Sequence, residues 1–363
     1  MQDFLHNKPK YQQVYDELIS TLTTKGYKVG DRLPSEREFA AMLNVNVLTV
    51  RRAFRELIAA DFVSKRVGSG TYLNREISDN WDDHAVNLLI ASSSNGTAQK
   101  IFENCGKNAV AAFGREYRIV YTSQYNIRDI IRSSLLYRQP TVFCGSIPSY
   151  KDFESDIAGS RELFVSVGAK DNPGLLAAVI SDDGVGVGSL MEHLQKRGHR
   201  RIAFMSSCRR EANGNSVLDI QYRKWKSLIK DDYSPELFLG IDSAKYDLDQ
   251  MEAGYNELKK LQGASDFTAL LCSTDDYMYG AMAALRESGK SVPADVSVVS
   301  IGNTDLSRFH SPGITSADLN FPELFSEALR LLYHNISHPG QIEMLRTVKP
   351  FLVPRQSVAA VLT

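Results

Sequence analysis

Thr49, Arg51, Arg52 and Arg55 fall on or beside the outward face of a short amphipathic stretch, and Lys65 and Arg66 follow on the arm of a glycine-tipped hairpin. Guanidinium and ammonium groups carried outward in this way can meet phosphate oxygens and base edges, which is the chemistry of a protein that binds duplex DNA. A basic outer face by itself is usually no more than a solvated helix surface. The segments on either side of this one decide between the two readings.

Upstream stands Leu33-Pro34-Ser35-Glu36-Arg37-Glu38. Ser35 and Glu38 form an S-x-x-E capping box, which satisfies orphan amide donors at a helix start, and Pro34 precedes the cap. Phe39, Ala40 and Leu43 then make a buried stripe, and Asn44-Val45-Asn46 makes a turn. Asn46 is a second N-cap, opening a helix with Val47, Val50, Ala53, Phe54, Leu57 and Ile58 at helical spacing. Two short helices joined by a tight turn are a helix-turn-helix, whose second helix lies in the major groove. Tyr11, Val14, Tyr15, Leu18, Ile19 and Leu22 predict a third amphipathic helix before them. Phe62-Val63, the turn Gly68-Ser69-Gly70 and Thr71-Tyr72-Leu73 predict a β-hairpin after them. Three helices and a basic hairpin make a winged helix.

Over residues 8–73 these motifs, LPSER, then TVR-x-A, then a G-x-G wing, resemble the GntR family of transcriptional regulators. The resemblance implies that Arg37 clamps a phosphate, that Thr49 and Arg51 make contacts from the recognition helix, and that Gly68 is the point of close approach of the wing. Arg52, Lys65, Arg66 and Ser69 complete the expected DNA-binding set. Asn46 stands where the family usually has Ser or Thr, and its amide can still donate to a phosphate. Val47 replaces the family's usual Arg, so the operator is expected to differ from the family's common one.

Charge is distributed in the same sense. Residues 1–75 hold 12 Lys and Arg against 8 Asp and Glu, a net of +4, and the remainder holds 30 against 35, a net of −5. A basic head on an acidic body suits a phosphate-binding module joined to a solubilising sensor. At 363 residues and 43% hydrophobic the chain is long and apolar enough for a head of about 75 residues and a large body with its own core. No run approaches the roughly 18 apolar residues of a spanning helix, and Met1-Gln2-Asp3 opens no signal peptide, so a cytoplasmic protein with no membrane partner is expected. Cys105, Cys144, Cys208 and Cys272 are scattered without metal spacing and read as small hydrophobes in a reducing compartment.

Residues 76–84 read as a polar linker. From 85 to 363 the pattern alternates strands and helices. Strands are expected at 86–91, 119–122, 142–144, 163–167, 177–181, 202–205, 237–239, 269–272 and 296–301, with helices such as 190–194, 251–261 and 279–285 between them. Buried strands alternating with amphipathic helices imply α/β architecture with parallel sheets covered on both faces. About nine strands over 280 residues suit two doubly wound lobes, with a ligand between them at the carboxyl ends of the strands.

Several local patterns suggest other chemistry and fail on inspection. Gly184-Val185-Gly186-Val187-Gly188 follows a strand and opens a helix, but a dinucleotide fingerprint is G-x-G-x-x-G and Ser189 stands where its third glycine belongs. Ser227-Leu228-Ile229-Lys230 fits S-x-x-K without its companion motifs. His193 and His199 are six apart, the wrong spacing to share a metal, so structural roles are expected. No cofactor and no metal are expected. An enzyme acting on a sugar or nucleotide is the alternative class, and it would need a catalytic dyad or complete phosphate loop that is not visible.

The body instead resembles the LacI/GalR sensor, well over 170–358 and weakly over 85–170. The resemblance rests on Ser181-Asp182-Asp183-Gly184, Glu192-His193-Leu194, Gly198-His199-Arg200-Arg201-Ile202-Ala203-Phe204, Cys272-Ser273-Thr274-Asp275-Asp276, Gly280-Ala281-Met282, Val292-Pro293-Ala294-Asp295-Val296 and Ile314-Thr315-Ser316, with Arg355-Gln356-Ser357 as the terminal strand. It implies a two-lobed, periplasmic-binding-protein-like sensor that dimerises and closes on a small ligand, usually a sugar. In such a cleft Asp275 would accept two hydroxyl hydrogen bonds. Ser92, Ser93 and Ser94 are candidate donors from the first lobe. Asp182 and Asp183 lie near the same cleft, with a helix N-cap as an equal alternative role for Asp183. Gln221 stands where the family commonly has a ligand-binding Arg and Gly302 where it commonly has Asp, which leaves the ligand open. Trp225 and Tyr222 read as core. A GntR-like head on a LacI-like body is the pairing of arabinose-responsive repressors. It implies a homodimer that binds double-stranded operator DNA and is controlled by an arabinose- or fucose-like sugar or a derivative.

Overall fold

The computed structural model describes residues 14, 18, 21–22, 26–59, 63–66, 68–74, 85–90, 96–122, 127–136, 138–145, 154–168, 174–207, 217–242, 249–260 and 267–361. The expected linker 76–84 lies outside them.

The head is built as its capping residues and apolar spacing require. Ser35 Oγ accepts from the Glu38 amide at 3.2 Å, and the Ser35 amide donates to Glu38 Oε2 at 2.6 Å, closing the capping box of helix α1 (Glu36–Met42). Asn44 turns the chain in the left-handed region (φ 50°), which Asn tolerates better than most residues. Asn46 Oδ1 then accepts from the Leu48 amide at 2.8 Å and opens helix α2 (Val47–Ala59). The hairpin is β2 (Val63–Arg66) and β3 (Gly70–Leu73), and β3 pairs on its other edge with β1 (Arg32–Leu33), a strand too short to be read from sequence. Phe39 and Phe54, with ring centroids 5.5 Å apart, centre a core shared with Val14, Leu18, Leu22, Val50, Leu57, Val63 and Leu73. Ile58, expected in the α2 stripe, is exposed instead.

The body contains two six-stranded sheets. The first joins β4 (Val86–Ile90), β5 (Tyr117–Tyr121), β6 (Thr141–Cys144), β7 (Phe164–Val167), β8 (Ala177–Ser181) and β14 (Leu345–Val348), all parallel, in the order β5-β4-β6-β7-β8-β14. The second joins β9 (Ile202–Ser206), β10 (Phe238–Gly240), β11 (Ala269–Cys272), β12 (Ser297–Gly302), β13 (Thr315–Asp318) and β15 (Phe351–Val353) in the order β10-β9-β11-β12-β13-β15, with only β15 antiparallel. Strands such as β4, β6 and β9 are buried along their whole length, as a parallel sheet under helices on both faces demands. Each of the nine expected strands appears within two residues of its expected limits. The additional β14 and β15 are half-exposed and carry no continuous apolar run. Arg355-Gln356-Ser357 falls just beyond β15.

Helices α3 (Gly96–Ala112), α4 (Ile127–Leu136) and α5 (Glu154–Ile157) belong to the first lobe; α6 (Asp183–Gln195), α7 (Val217–Ile229), α8 (Gln250–Lys259), α9 (Asp275–Glu287) and α10 (Asp305–Arg308) belong to the second. Helix α11 (Phe321–Ser337) follows β13 of the second lobe, yet Leu324, Phe325, Leu331 and Leu332 pack into the first. Helix α6 follows β8 of the first lobe and packs into the second through Val187, Leu190 and Leu194. Among the described residues the chain therefore crosses between lobes three times, at 181–183, 318–321 and 348–351.

Helices α8 and α9 touch backbone to backbone. A Cβ at Gly280 would sit 1.9 Å from the Met251 carbonyl oxygen, and one at Gly254 2.4 Å from that of Tyr277. Only glycine permits this approach, and it sets the starts of the two helices side by side.

Candidate functional site

On the head, one carboxylate organises two of the expected DNA contacts. Glu36 Oε2 accepts from Arg51 Nε at 2.9 Å, and Glu36 Oε1 from Lys65 Nζ at 2.8 Å. Burial opposes ionisation of Glu36, but the bonds from Lys65 and Arg51 outweigh it and hold the carboxyl below its ordinary value. The recognition helix and the wing are thus joined through α1. Arg37 is exposed on the first turn of α1, and Arg52 is exposed on α2. Thr49 is half-buried, and Asn46 is exposed with its oxygen engaged in the cap, leaving its amide N–H groups available to a phosphate. At the wing, the Arg66 guanidinium lies 4.4 Å above the Tyr72 ring, and the Tyr72 hydroxyl pairs with Ser69 Oγ at 2.6 Å. Gly68 adopts φ 74° at the exposed tip. Sequence reasoning missed Glu36 and Leu48. Leu48, 66% exposed, is an apolar residue off the buried stripe of α2, and that displacement was its signal.

In the body, a cleft of about 1000 Å³ lies between the lobes. Lys100 and Asn104 of α3 line it from the first lobe, Asp276 and Asn303 from the second, and Asp318 and Phe321 from the crossover between them. Gly302, Asp318 and Asp276 stand at or just after the carboxyl ends of β12, β13 and β11, where doubly wound sheets hold ligands. Asp318 Oδ2 accepts from Asn303 Nδ2 at 2.6 Å, and its Oδ1 from the Asn320 amide at 2.7 Å. Arg355 reaches Asn303 from behind with one guanidinium nitrogen and donates to the Ile314 carbonyl with the other.

The structure distributes the expected ligand residues differently from the sequence reading. Asp275 is 2% exposed and does not line the cleft. It accepts from Ser300 Oγ and, at 2.6 Å, from the Thr304 amide, while Ser300 Oγ also meets Ser316 Oγ at 2.9 Å. Burial pushes its carboxyl up, against the bonds from Ser300 and Thr304 that pull it down. Gly302 makes this possible, because a Cβ there would lie 2.9 Å from Asp275 Oδ2. Asp275 thus folds the cleft loop, and its neighbour Asp276 faces the cleft.

Asp182, rather than Asp183, caps α6, accepting from the Val185 amide at 3.1 Å. Gln221 is buried, and its Oε1 has no hydrogen-bond partner among the described residues; Ser273 Oγ is in the same condition. Ser92, Ser93 and Ser94 lie outside the described residues, as does Cys208. Trp225 and Tyr222 pack in the second core, with the indole N–H donating to the Ile202 carbonyl at 3.0 Å. His193 and His199 are structural: Arg197 donates to His193 Nδ1 at 3.2 Å, and His199 bridges Thr268 and Ala359. No helix among the described residues is long and apolar enough to cross a membrane.

Residues 10–73 match the gntR family of bacterial regulatory proteins, and residues 191–358 match the periplasmic binding protein-like domain. The HTH-type transcriptional repressor PurR of Mannheimia succiniciproducens is 29% identical over 168 residues, 46% of this chain and 48% of that protein; the chain spans about half the length of such curated relatives. The arabinose metabolism transcriptional repressor of Geobacillus stearothermophilus is 24% identical over 313 residues, 80% of this chain and 81% of that protein. Among solved structures, a LacI family regulator of Weissella paramesenteroides with bound sucrose superposes with a TM-score of 0.62 at 19% identity, covering 77% of this chain and 100% of that one. That likeness is one of fold. These relatives are named as regulators and not as enzymes.

Proposed function

We propose that this chain, which joins a gntR-family DNA-binding head to a periplasmic-binding-protein-like body, is a ligand-responsive transcriptional regulator, a repressor of carbohydrate utilisation acting in the cytoplasm. The observation that carries the reading is the interlobe cleft, lined from both lobes at a chain crossover, in the same polypeptide as a winged helix with its cations outward.

Its mechanism has two states. A small polyhydroxylated effector bridges the lobes, pairing with wall groups such as Asn104 of the first lobe and Asp276 and Asn303 of the second. Closure about the three crossovers shifts the lobes against each other. In a homodimer that motion changes the separation of the two winged helices, which must match the spacing of the operator half-sites. A tenfold change in operator affinity needs only about 1.4 kcal/mol of differential binding, so a few cleft contacts suffice. The similarity to an arabinose metabolism repressor over 80% of the chain supports a monosaccharide as effector.

Operator affinity, measured at fixed salt on the full chain against monosaccharides and their derivatives, tests the reading. One or more sugars should change it at least tenfold, about 1.4 kcal/mol. An affinity unmoved by the whole panel would refute it.

A further inference from the structure

We infer that the interlobe cleft takes an uncharged polyhydroxylated ligand and rejects the phosphate and uronate forms of the same skeleton. The inference rests on the effector reading above and adds to it the charge class of the ligand.

Among the described residues the cleft wall carries four carboxylates, those of Asp249, Asp276, Asp305 and Asp318, against two cations, Lys100 and Arg308. Burial sharpens the imbalance. Lys100, Arg308, Asp249 and Asp305 are all exposed, where water and salt screen them, and Arg308 stands 3.9 Å from Asp305, so the imbalance lies in the shielded Asp276 and Asp318. Asp276 is only 8% exposed. Asp318 is half-buried, and the two bonds it accepts come from the neutral Asn303 side chain and Asn320 amide, while the Arg355 guanidinium behind Asn303 offsets part of its charge. Its field reaches the opposite lobe: burial first and the Asp318 carboxylate second push up the thiol of Cys105 on α3.

Among the described residues the helix starts at the cleft are also poorly suited to an anion. Helix N-termini attract phosphates through their free N–H groups and dipole. Among the described residues four helices begin at the cleft, and each carries an acid at its cap or in its first turn, Glu323 for α11, whose Asn320 cap makes no side-chain hydrogen bond. Asp249 caps α8, accepting from the Glu252 amide at 2.9 Å; Asp275 and Asp276 open α9; Asp305 opens α10. The half-buried guanidinium of Arg355 donates to Asn303 and the Ile314 carbonyl. What remains for a ligand is suited to hydroxyl groups and to the apolar face of a sugar ring. The wall offers carboxylate acceptors, the Asn303 and Asn104 side chains, and the ring of Phe321.

The test is thermal shift and calorimetric titration of the full chain with matched sets. These are L-arabinose, D-ribose, D-glucose and D-galactose, against arabinose 5-phosphate, ribose 5-phosphate, glucose 6-phosphate and galacturonate. At least one neutral sugar should bind, and its anionic counterpart should bind at least tenfold more weakly, about 1.4 kcal/mol. Asp318→Asn and Asp276→Asn should each narrow that gap, and raising the salt should narrow it as well. An anionic sugar that binds as tightly as its parent, while shifting operator affinity, overturns the charge assignment and leaves the effector reading standing. No binding by either set, with operator affinity unchanged, overturns both.

Discussion

The Glu36 carboxylate accepts a hydrogen bond from Arg51 Nε at 2.9 Å, across the turn of the helix-turn-helix. Its other oxygen holds Lys65 of the wing at 2.8 Å. A single acid therefore aims two cations that lie far apart in sequence, and a DNA phosphate would have to compete with it for them. In the proposed complex this would favour selectivity: a site offering only phosphate would gain less from these cations than one that also offers a base edge to Arg51.

Glu36→Gln should accordingly raise non-specific DNA affinity and lower the ratio of specific to non-specific binding. The log–log salt slope should steepen by up to about two, because Arg51 and Lys65 both become free for phosphates at about 0.9 each. Stability should change by no more than about 1 kcal/mol, since the pair is at the surface. Fluorescence anisotropy over a salt series reads all three, and an unchanged slope and ratio would count against the clamp.

Arg51→Ala should weaken binding to an operator selected from a random duplex library by about 1–3 kcal/mol if the guanidinium reads a base. Leu48→Ser should also weaken it and relax preference at one position, as the exposed leucine side chain suits a thymine methyl. Neither should move stability by more than about 0.5 kcal/mol, both side chains being exposed. Equal losses on every sequence would reassign Arg51 to the phosphate backbone.

Gly280→Ala should destabilise the second lobe by about 3 kcal/mol or more, because the new methyl meets the Met251 carbonyl rather than a movable side chain. Denaturant unfolding measures it. A loss below about 0.5 kcal/mol would mean that the two helices part easily.

Asp275→Ala should cost about 1–3 kcal/mol of stability, the price of leaving Ser300 Oγ and the Thr304 amide without their acceptor. Any ligand response should fall with it, through collapse of the Gly302–Thr304 loop. Unchanged stability with a lost ligand response would return Asp275 to the cleft.

Stability should decline in mild acid through the buried imidazoles. His199 donates from Nε2 to the Ala359 carbonyl at 3.0 Å and accepts from Thr268 Oγ1 at 2.9 Å, a neutral tautomer. Burial depresses its titration, the Ala359 bond opposes that shift, and Arg197 adds to it. His193 is depressed in the same direction, first by burial and then by Arg197 and Lys196. The unfolded imidazoles take a proton that the folded ones refuse. Their contribution is therefore complete above about pH 6.5 and is lost as pH falls from there through the depressed folded values. Tm followed from about pH 7.5 to 5.5 should drop, with a shallower slope in His199→Gln. A wild-type Tm that is flat over this range would contradict the assignment.

Local chemistry made the head and the alternation of the body readable in the chain itself. Capping at Ser35 and Asn46, the stripe through Val50, Ala53, Phe54 and Leu57, and the buried runs of β4 to β12 depend on neighbours within a few residues, so spacing alone reveals them. Other features depend on contacts that spacing does not encode. Nothing near Glu36 in sequence announces Lys65, which is 29 residues away. The sequence motif points to Asp275 as the ligand acceptor and gives Asp276 no such role. Gly302, from another strand, draws the first into the wall and leaves the second facing the cleft. Near-neighbour chemistry is enough to specify a winged-helix head and a doubly wound body. Only the tertiary structure decided which carboxylates face a ligand, because that depends on which strand ends and crossovers the two sheets bring to one cleft.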